Sequence, residues 1–543
     1  MLEKSHIIVI TGGLFIQILN HCKIPLEYIS QIIIDECHHA SPDSASDFRD
    51  ICAVLADYFP MPKFQSDYSN GPKILGLTAS VVNNITHESD VAKEANALEK
   101  IMRSRLITSD DPSLLNQSGI VEEKIIPFKE LSGSSCSMSD PYYNMFKIIK
   151  CGIDYLERYF GSSNDIFDLE QFLENGEVNE ILIIECLKTI ELKTQNVKQA
   201  LKTINTIQEE FGPMMTYLAL KFLMADFDKK ICKYHVATSE TNNVIRAMVY
   251  ALGQMKAAMS SFEETHRTIT SQLSWKPPGY VSKFFDNSEV IEVNISENVI
   301  PRQNNRVEPV LSREQMVAWG TWLKAEFPYS DKMEKLLFVL GNSKTRIELD
   351  GEDFCALVLT KSRMMSLILA EFLNLLARSP APNYGTLKAK HCISANSQGK
   401  TVQMSQSEQT VVLSEFKDNN FNVMVATNVL EEGLDVRRCN VVCKTDPVTE
   451  FRSYVQSKGR ARSKNSYYFI LCRSEEVNRT SGEIANFQRI NRSLDAFMLK
   501  KMKDGDYSIP ICTPGEYSTG AYLPNGFKGP RISPSSSGCL IMR

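Results

Sequence analysis

Short apolar runs, Ile7 to Ile10, Gln31 to Ile34 and Lys73 to Leu77, alternate through the first 130 residues with a helix-like segment, Val91 to Arg105. Runs of that length between polar turns read as strands, and the alternation predicts an α/β domain with a parallel sheet. From about 140 to 275 the period changes. Apolar residues fall at Ile181, Ile184, Leu187 and Ile190 or Leu192, and recur through Tyr217 to Met224 and Val244 to Met255. A spacing near 3.6 residues predicts an all-helical block. Pro277, Pro278, Pro301 and Pro309 in a polar run read as a connection. The α/β rhythm then returns with strands at Ala356 to Leu359, Val423 to Ala426, Val441 to Lys444 and Tyr467 to Leu471. A polar helix follows at about 482 to 503, then a tail rich in Gly, Pro and Ser. No repeat of 20 to 50 residues is visible, but two α/β blocks flanking a helical one form a coarse duplication.

A chain of 543 residues exceeds one hydrophobic core, and three or four domains are expected. Apolar residues at 43% and charged residues at 23% are ordinary globular usage. No apolar run approaches the 18 or so residues of a membrane span, so no membrane partner is expected. Fourteen cysteines stand singly, without CxxC pairs. This pattern points to neither zinc nor a disulfide framework, and it suits a reducing, cytoplasmic setting. The first residues lack the zones of a secretory signal, so sequons such as those at Asn84 and Asn294 read as chance matches. A net charge of −5 and a pI near 6.0 leave no chain-wide footprint for nucleic acid; any such contact must be local.

Four segments carry candidate chemistry. In QIIIDECHHA a strand delivers Asp35, Glu36 and His38 to its C-terminal edge, where α/β sheets bind ligands. In nucleotide hydrolysis one carboxylate holds magnesium and a second orients water, which suits this pair; a solvated strand end is the alternative. Forty residues on, LTAS offers Thr78 and Ser80 as hydrogen-bonding hydroxyls. ATNVLEEGLDV places Thr427, Gly433 and Asp435 after a strand, suited to close approach by a ribose or phosphate. QSKGRARS then presents Gln456, Arg460 and Arg462 beside Gly459. A planar guanidinium suits phosphoryl charge, against the alternative of a basic solvated helix end.

DECH, TAS, ATNVLEEGLD and YVQSKGRARS, in this order, resemble motifs II, III, V and VI of superfamily 2 helicases. The wording of the last two, with DPVTEFRSYVQSKGRARSKNSYYFIL around them, resembles the Dicer family in its invertebrate, Dicer-2-like form. EEFGP at 209 to 213 is similar to the helical insertion shared by Dicer and the RIG-I-like receptors, and YLPNGFKGPRISPSS resembles the opening of the Dicer dsRNA-binding fold.

The resemblance implies two RecA-like parallel-sheet domains, the first incomplete, separated by an all-helical insertion. The divisions are 1–130, 131–285 for the insertion, 286–330 as linker, 331–475, a helical connector 476–510, and 511–543. It gives Asp35 and Glu36 to magnesium and water, and His38, Thr78 and Ser80 to coupling. Gln456, Arg460 and Arg462, with Gly433 and Asp435, go to the triphosphate of ATP, and Thr11, Thr360 and Thr427 to RNA backbone. Double-stranded RNA is the expected partner, with a dsRNA-binding protein at the insertion.

One element of the family pattern does not stand in this sequence. No glycine-rich loop with Lys-Ser/Thr precedes DECH, and the GKT at Gly399, Lys400 and Thr401 lies in the second block, where it reads as a surface loop. This chain alone is therefore expected to be the helicase portion of a Dicer-like endoribonuclease with little ATPase and no RNase activity. The alternatives are a non-catalytic dsRNA- or partner-binding module, or a fragment of a RIG-I-like sensor.

Overall fold

The structure, a computed structural model, describes residues 6–21, 28–42, 44, 46–58, 72–78, 81, 87–108, 120–129, 140–160, 194–231, 239–277, 280, 313–381, 384–394, 402, 404–427, 436–463, 465–504 and 538–542. The first block contains β1 (Ile7–Ile10), α1 (Gly12–Asn20), β2 (Ile29–Asp35), α2 (Asp47–Tyr58), β3 (Lys73–Leu77) and α3 (Val91–Met102). Then come β4 (Ile120–Phe128) and the helical block of α4 (Tyr143–Phe160), α5 (Thr194–Phe211), α6 (Pro213–Ile231) and α7 (Ser239–Ser271). The helices α8 (Arg313–Glu326) and α9 (Asp331–Leu349) lead into β5 (Ala356–Thr360), α10 (Arg363–Arg378), β6 (Ala389–Cys392), α11 (Gln406–Lys417) and β7 (Val423–Thr427). The chain continues through β8 (Val441–Lys444), α12 (Phe451–Lys458), β9 (Asn465–Arg473), α13 (Val477–Lys503) and β10 (Gly538–Met542).

Two all-parallel sheets result, in the orders β1-β10-β2-β3 and β4-β9-β8-β5-β7-β6, with a helical block between their sequences. This is the α/β class expected. In the second sheet β5, β7 and β8 are buried at every residue, because ALVLT, VMVAT and VVCK are almost wholly apolar and helices cover both faces. The first sheet is less covered. Ile32 and Ile34 of β2 are fully buried, whereas Ile7, Val9, Leu75 and Leu77 on its flanking strands are exposed. Among the described residues no helix is long and apolar enough to cross a membrane.

Three placements differ from the expected divisions. β4, expected inside the 1–130 unit, pairs with β9 along its whole length, from Ile120 opposite Asn465 to Phe128 opposite Arg473. The stretch 286–330, expected as linker, contains α8. Pro301 and Pro309 lie before Arg313 and Pro328 just past the helix end, and between them Trp319, Trp322, Leu323 and Phe327 follow at helical spacing, with Trp322 and Phe327 fully buried. β10, in the tail expected to open a separate fold, lies between β1 and β2 of the first sheet. Ile181 to Leu192, Ser80, Gly433, Asp435, Gly399 to Thr401 and the sequons at Asn84 and Asn294 lie outside the described residues.

The helical block joins the second sheet through a buried charge. Gly212 takes φ +92° in the turn between α5 and α6, and a Cβ there would meet the Ser330 backbone nitrogen at 2.6 Å. That close approach lets Ser330 N–H donate to Phe211 O (3.0 Å) and Met214 N–H to Pro328 O (2.9 Å). Beside this staple, Lys332 is 1% exposed. Its ammonium pairs with Glu210 of the helical block and Asp446 after β8, and lies over the rings of Phe128 (5.2 Å) and Phe211 (4.8 Å). Burial alone would raise the Asp446 carboxyl. Lys332 and Lys361 outweigh it and hold that carboxyl below the usual carboxylate range.

Breaking a buried pair strands the remaining charges, at about 3–5 kcal/mol. Lys332→Met should therefore lower unfolding stability by that amount, and Lys332→Met with Glu210→Gln and Asp446→Asn should recover most of it. Denaturant unfolding of the three chains, wild type, single and triple variant, measures this. A single variant no less stable than the wild type would show that the junction is held by apolar packing instead.

Candidate functional site

The first site element is built where β2 ends. Asp35 closes the strand, Glu36 turns the chain with φ 52° and ψ 47°, and a short 3₁₀ helix, Cys37–Ala40, follows. This left-handed turn folds the DECH segment back over the strand end, burying His38 completely. His38 Nδ1 lies 2.8 Å from Thr78 Oγ1, just past β3, and 3.3 Å from Glu36 Oε2. The imidazole of His38 thus links Glu36 to Thr78. Burial, then the charges of Glu36 and Asp35, push the Cys37 thiol up to about 12, so Cys37 is neutral packing and no nucleophile.

The candidate RNA threonines have different environments. Thr11 is exposed, and its hydroxyl caps α1 by accepting from Leu14 N–H (3.4 Å). Thr360 and Thr427 are register partners at the ends of β5 and β7. Thr360 is 1% exposed and its hydroxyl is engaged by Ser366 Oγ (2.7 Å) and Ser362 O (3.1 Å), so it faces inward. The Thr427 hydroxyl is buried without a hydrogen-bond partner among the described residues, as is Gln456 Nε2.

The arginine segment is fixed by the start of β8. Arg462 and Ser463 N–H donate to Cys439 O, while Cys439 N–H donates to Arg460 O, a parallel bridge centred on Ala461. Arg462 Nε donates to Gly459 O at 2.7 Å, which orients its guanidinium.

Glu36 and Arg462 do not share a cavity. Glu36 lines one of about 780 Å³ between the blocks, with Lys332, Lys361, Lys444, Arg452, Arg473 and Arg479 as cations and Glu210, Asp446, Glu450, Glu476 and Glu483 as further acids. Six cations thus face six acids. Local sequence reading missed these cations, although Lys361 directly follows Thr360 at a strand end and Arg473 closes β9. Arg462 lines a second cavity, of about 720 Å³, behind α12.

Magnesium takes one or two protein carboxylates together with phosphates and water. Asp35 and Glu36 supply that donor set. Among the described residues no three or more His, Cys, Asp or Glu converge as a metal site.

Comparison with known proteins fits this geometry. Residues 351–464, spanning β5 to α12 and the arginine segment, match the helicase conserved C-terminal domain. The second block is thus a helicase domain. The chain is 25% identical over 502 residues to Endoribonuclease dcr-1 of Caenorhabditis elegans, covering 91% of this chain and 22% of that protein. It is 21% identical over 548 residues to Endoribonuclease Dicer of Danio rerio (98% and 26% covered) and 24% over 547 to Endoribonuclease Dicer homolog 2 of Arabidopsis thaliana (99% and 31%). The chain is a Dicer-like helicase region, spanning 22 to 31% of the length of these relatives. Nematode, fish and plant proteins match at similar identity, which does not single out the invertebrate form. Among solved structures, the Pyrococcus furiosus Hef helicase domain aligns with a TM-score of 0.36 and 16% identity, over 87% of this chain and 77% of that one.

Gly76 of β3 seats the DECH turn. A Cβ there would meet Cys37 Sγ at 2.5 Å and Cys37 Cβ at 2.8 Å. Gly76→Ala should cost the first block about 1–3 kcal/mol by overpacking and weaken the His38–Thr78 link. Thermal unfolding reads the first effect, and the imidazole NMR shifts of His38 read the second. Unchanged values in both would mean that the turn yields freely.

Proposed function

We propose that this chain is the helicase portion of a Dicer-like endoribonuclease, binding double-stranded RNA and coupling it to ATP during the processing of long duplexes into small RNAs. The observation that carries the reading is the placement of Glu36, tied through His38 to Thr78, on a cavity whose other wall holds Lys361, Arg473 and Arg479 of the second block. An ATP-responsive carboxylate and a set of phosphate-binding cations then face one space. Asp35 and Glu36 would hold the magnesium ion, which neutralises phosphate charge when bound. Glu36 would orient water, and His38 would transmit the state of that edge to Thr78. Gln456, Arg460 and Arg462, with Gly433 and Asp435, would meet the triphosphate when the blocks close. Recognition by cations at phosphates follows A-form shape with little base preference, and it weakens as salt rises.

A second reading, a non-catalytic RNA- or partner-binding module, is favoured by one observation: Glu36 and Arg462 line different cavities. In that case the helical block would hold the dsRNA-binding partner protein. Both readings place the protein in the cytoplasm.

RNA-stimulated ATP hydrolysis separates them. This chain should turn over well below a chain extended upstream to supply a glycine-rich phosphate loop, and Glu36→Gln in the extended chain should lower the rate about 10²-fold or more. Hydrolysis by this chain that depends on Lys400 would overturn the assignment of the nucleotide site.

A further inference from the structure

The second cavity has a different electrostatic character from the first. Its lining includes Arg438, Lys458, Arg462 and Arg492, with Tyr454, Gln488 and Asn491, and no Asp or Glu among the described residues. In a chain of net charge −5 such a concentration is local and costs repulsion unless a ligand offsets it. Among the described residues, Lys458 alone of these four cations has a carboxylate partner. Glu123 of β4 accepts from Lys458 Nζ (2.8 Å), Tyr454 OH (2.9 Å) and Gln488 Nε2 (3.3 Å), a node joining β4, α12 and α13. Burial would lower the Lys458 ammonium, but the bonds to Glu123 and Tyr454 raise it, so it stays charged. The node uses up Lys458 and fixes the wall.

Three guanidiniums then remain, and two are oriented from behind. Arg462 Nε donates to Gly459 O and Arg492 Nε to Gln488 O (3.2 Å), and among the described residues their terminal Nη groups take no hydrogen bond. Arg438, exposed just before Cys439, adds the third. Planar, oriented forks suit phosphate oxygens better than a mobile ammonium does. A volume near 720 Å³ exceeds what one phosphate fills and lies in the range of small-ligand sites.

We infer that Arg438, Arg462 and Arg492, held by the Glu123 node, form a second anion site that binds a run of phosphate groups, with α13 as its outer wall. The run can come from a free oligophosphate or from an RNA backbone. The inference rests on the helicase reading only for Arg462; Arg438 and Arg492 are assigned by geometry alone.

The test is isothermal titration of the full chain with inorganic tripolyphosphate and, separately, with a short RNA duplex. Arg438→Gln and Arg492→Gln are compared with Arg489→Gln, an exposed arginine of the same helix outside the cavity lining. Each cavity variant should weaken binding about tenfold or more, and Arg489→Gln should not. A loss confined to tripolyphosphate identifies a free oligophosphate, and a loss confined to the duplex identifies the RNA backbone. Equal binding by all four chains to both probes, or no binding of either by the wild type, overturns the site. Glu36→Gln keeps this reading separate from the catalytic one, since it should abolish hydrolysis in the extended chain and leave tripolyphosphate binding intact.

Discussion

The buried ammonium of Lys332 is the constraint on which the arrangement of blocks depends. An ion removed from water is tolerable only where opposite charge and polarizable faces replace the water shell. Here those replacements come from three places in the chain: Glu210 and Phe211 at the end of α5, Phe128 at the end of β4, and Asp446 after β8. None of these elements can withdraw without exposing the others to an uncompensated charge. The junction therefore defines a single arrangement of the helical block, β4 and the second sheet. Asp446 is shared with Lys361, which reaches into the central cavity and is 61% exposed. The interior clasp and the cavity surface thus use the same carboxylate.

β4 makes the second connection. It follows the first block in sequence yet is the edge strand of the second sheet, and Glu123 on it binds groups from both α12 and α13. α13 in turn reaches back to the first block: Lys501 pairs with the buried Glu99 of α3, and Arg105 donates to Lys501 O. The two α/β blocks are crossed by one strand in one direction and one helix in the other, so a displacement between them strains both. Any relative movement of the blocks must pass through these crossings, and the polar contacts at Glu123 and Glu99 are where it is resisted.

Much of this was legible in local pattern. The seven strands read from apolar runs stand where expected, because a buried parallel strand needs almost uninterrupted apolar residues and little else produces such runs between turns. His38 and Thr78 proved to be neighbours, since adjacent parallel strands bring their C-terminal ends together. Other features lay beyond local reading. IVEEKIIPF suits the edge of either sheet, and its partner is chosen by Phe128 and Glu123, whose contacts are hundreds of residues away. The helix at Arg313–Glu326 was concealed by the prolines before it, Pro301 and Pro309. Thr360 was expected to face RNA, but its strand is buried on both faces and its hydroxyl is engaged by Ser366. The separation of Glu36 from Arg462 depends on how the blocks sit together, which no spacing within a motif encodes.

The charge pattern of the two cavities shows how such a protein can remain acidic and still meet phosphates. In the central cavity six cations face six acids, so its resting field is nearly cancelled, and phosphates can enter only by displacing carboxylates such as Asp446 from Lys361. Binding there requires ion pairs to rearrange, and through Asp446 that rearrangement reaches Lys332 and the helical block. Behind α12 the carboxylate is already committed to Lys458, and the arginines face solvent with their planes set. A phosphate group meets no competing acid among the described lining residues. A phosphate in the first cavity would therefore have to rearrange ion pairs, and one in the proposed second site would not.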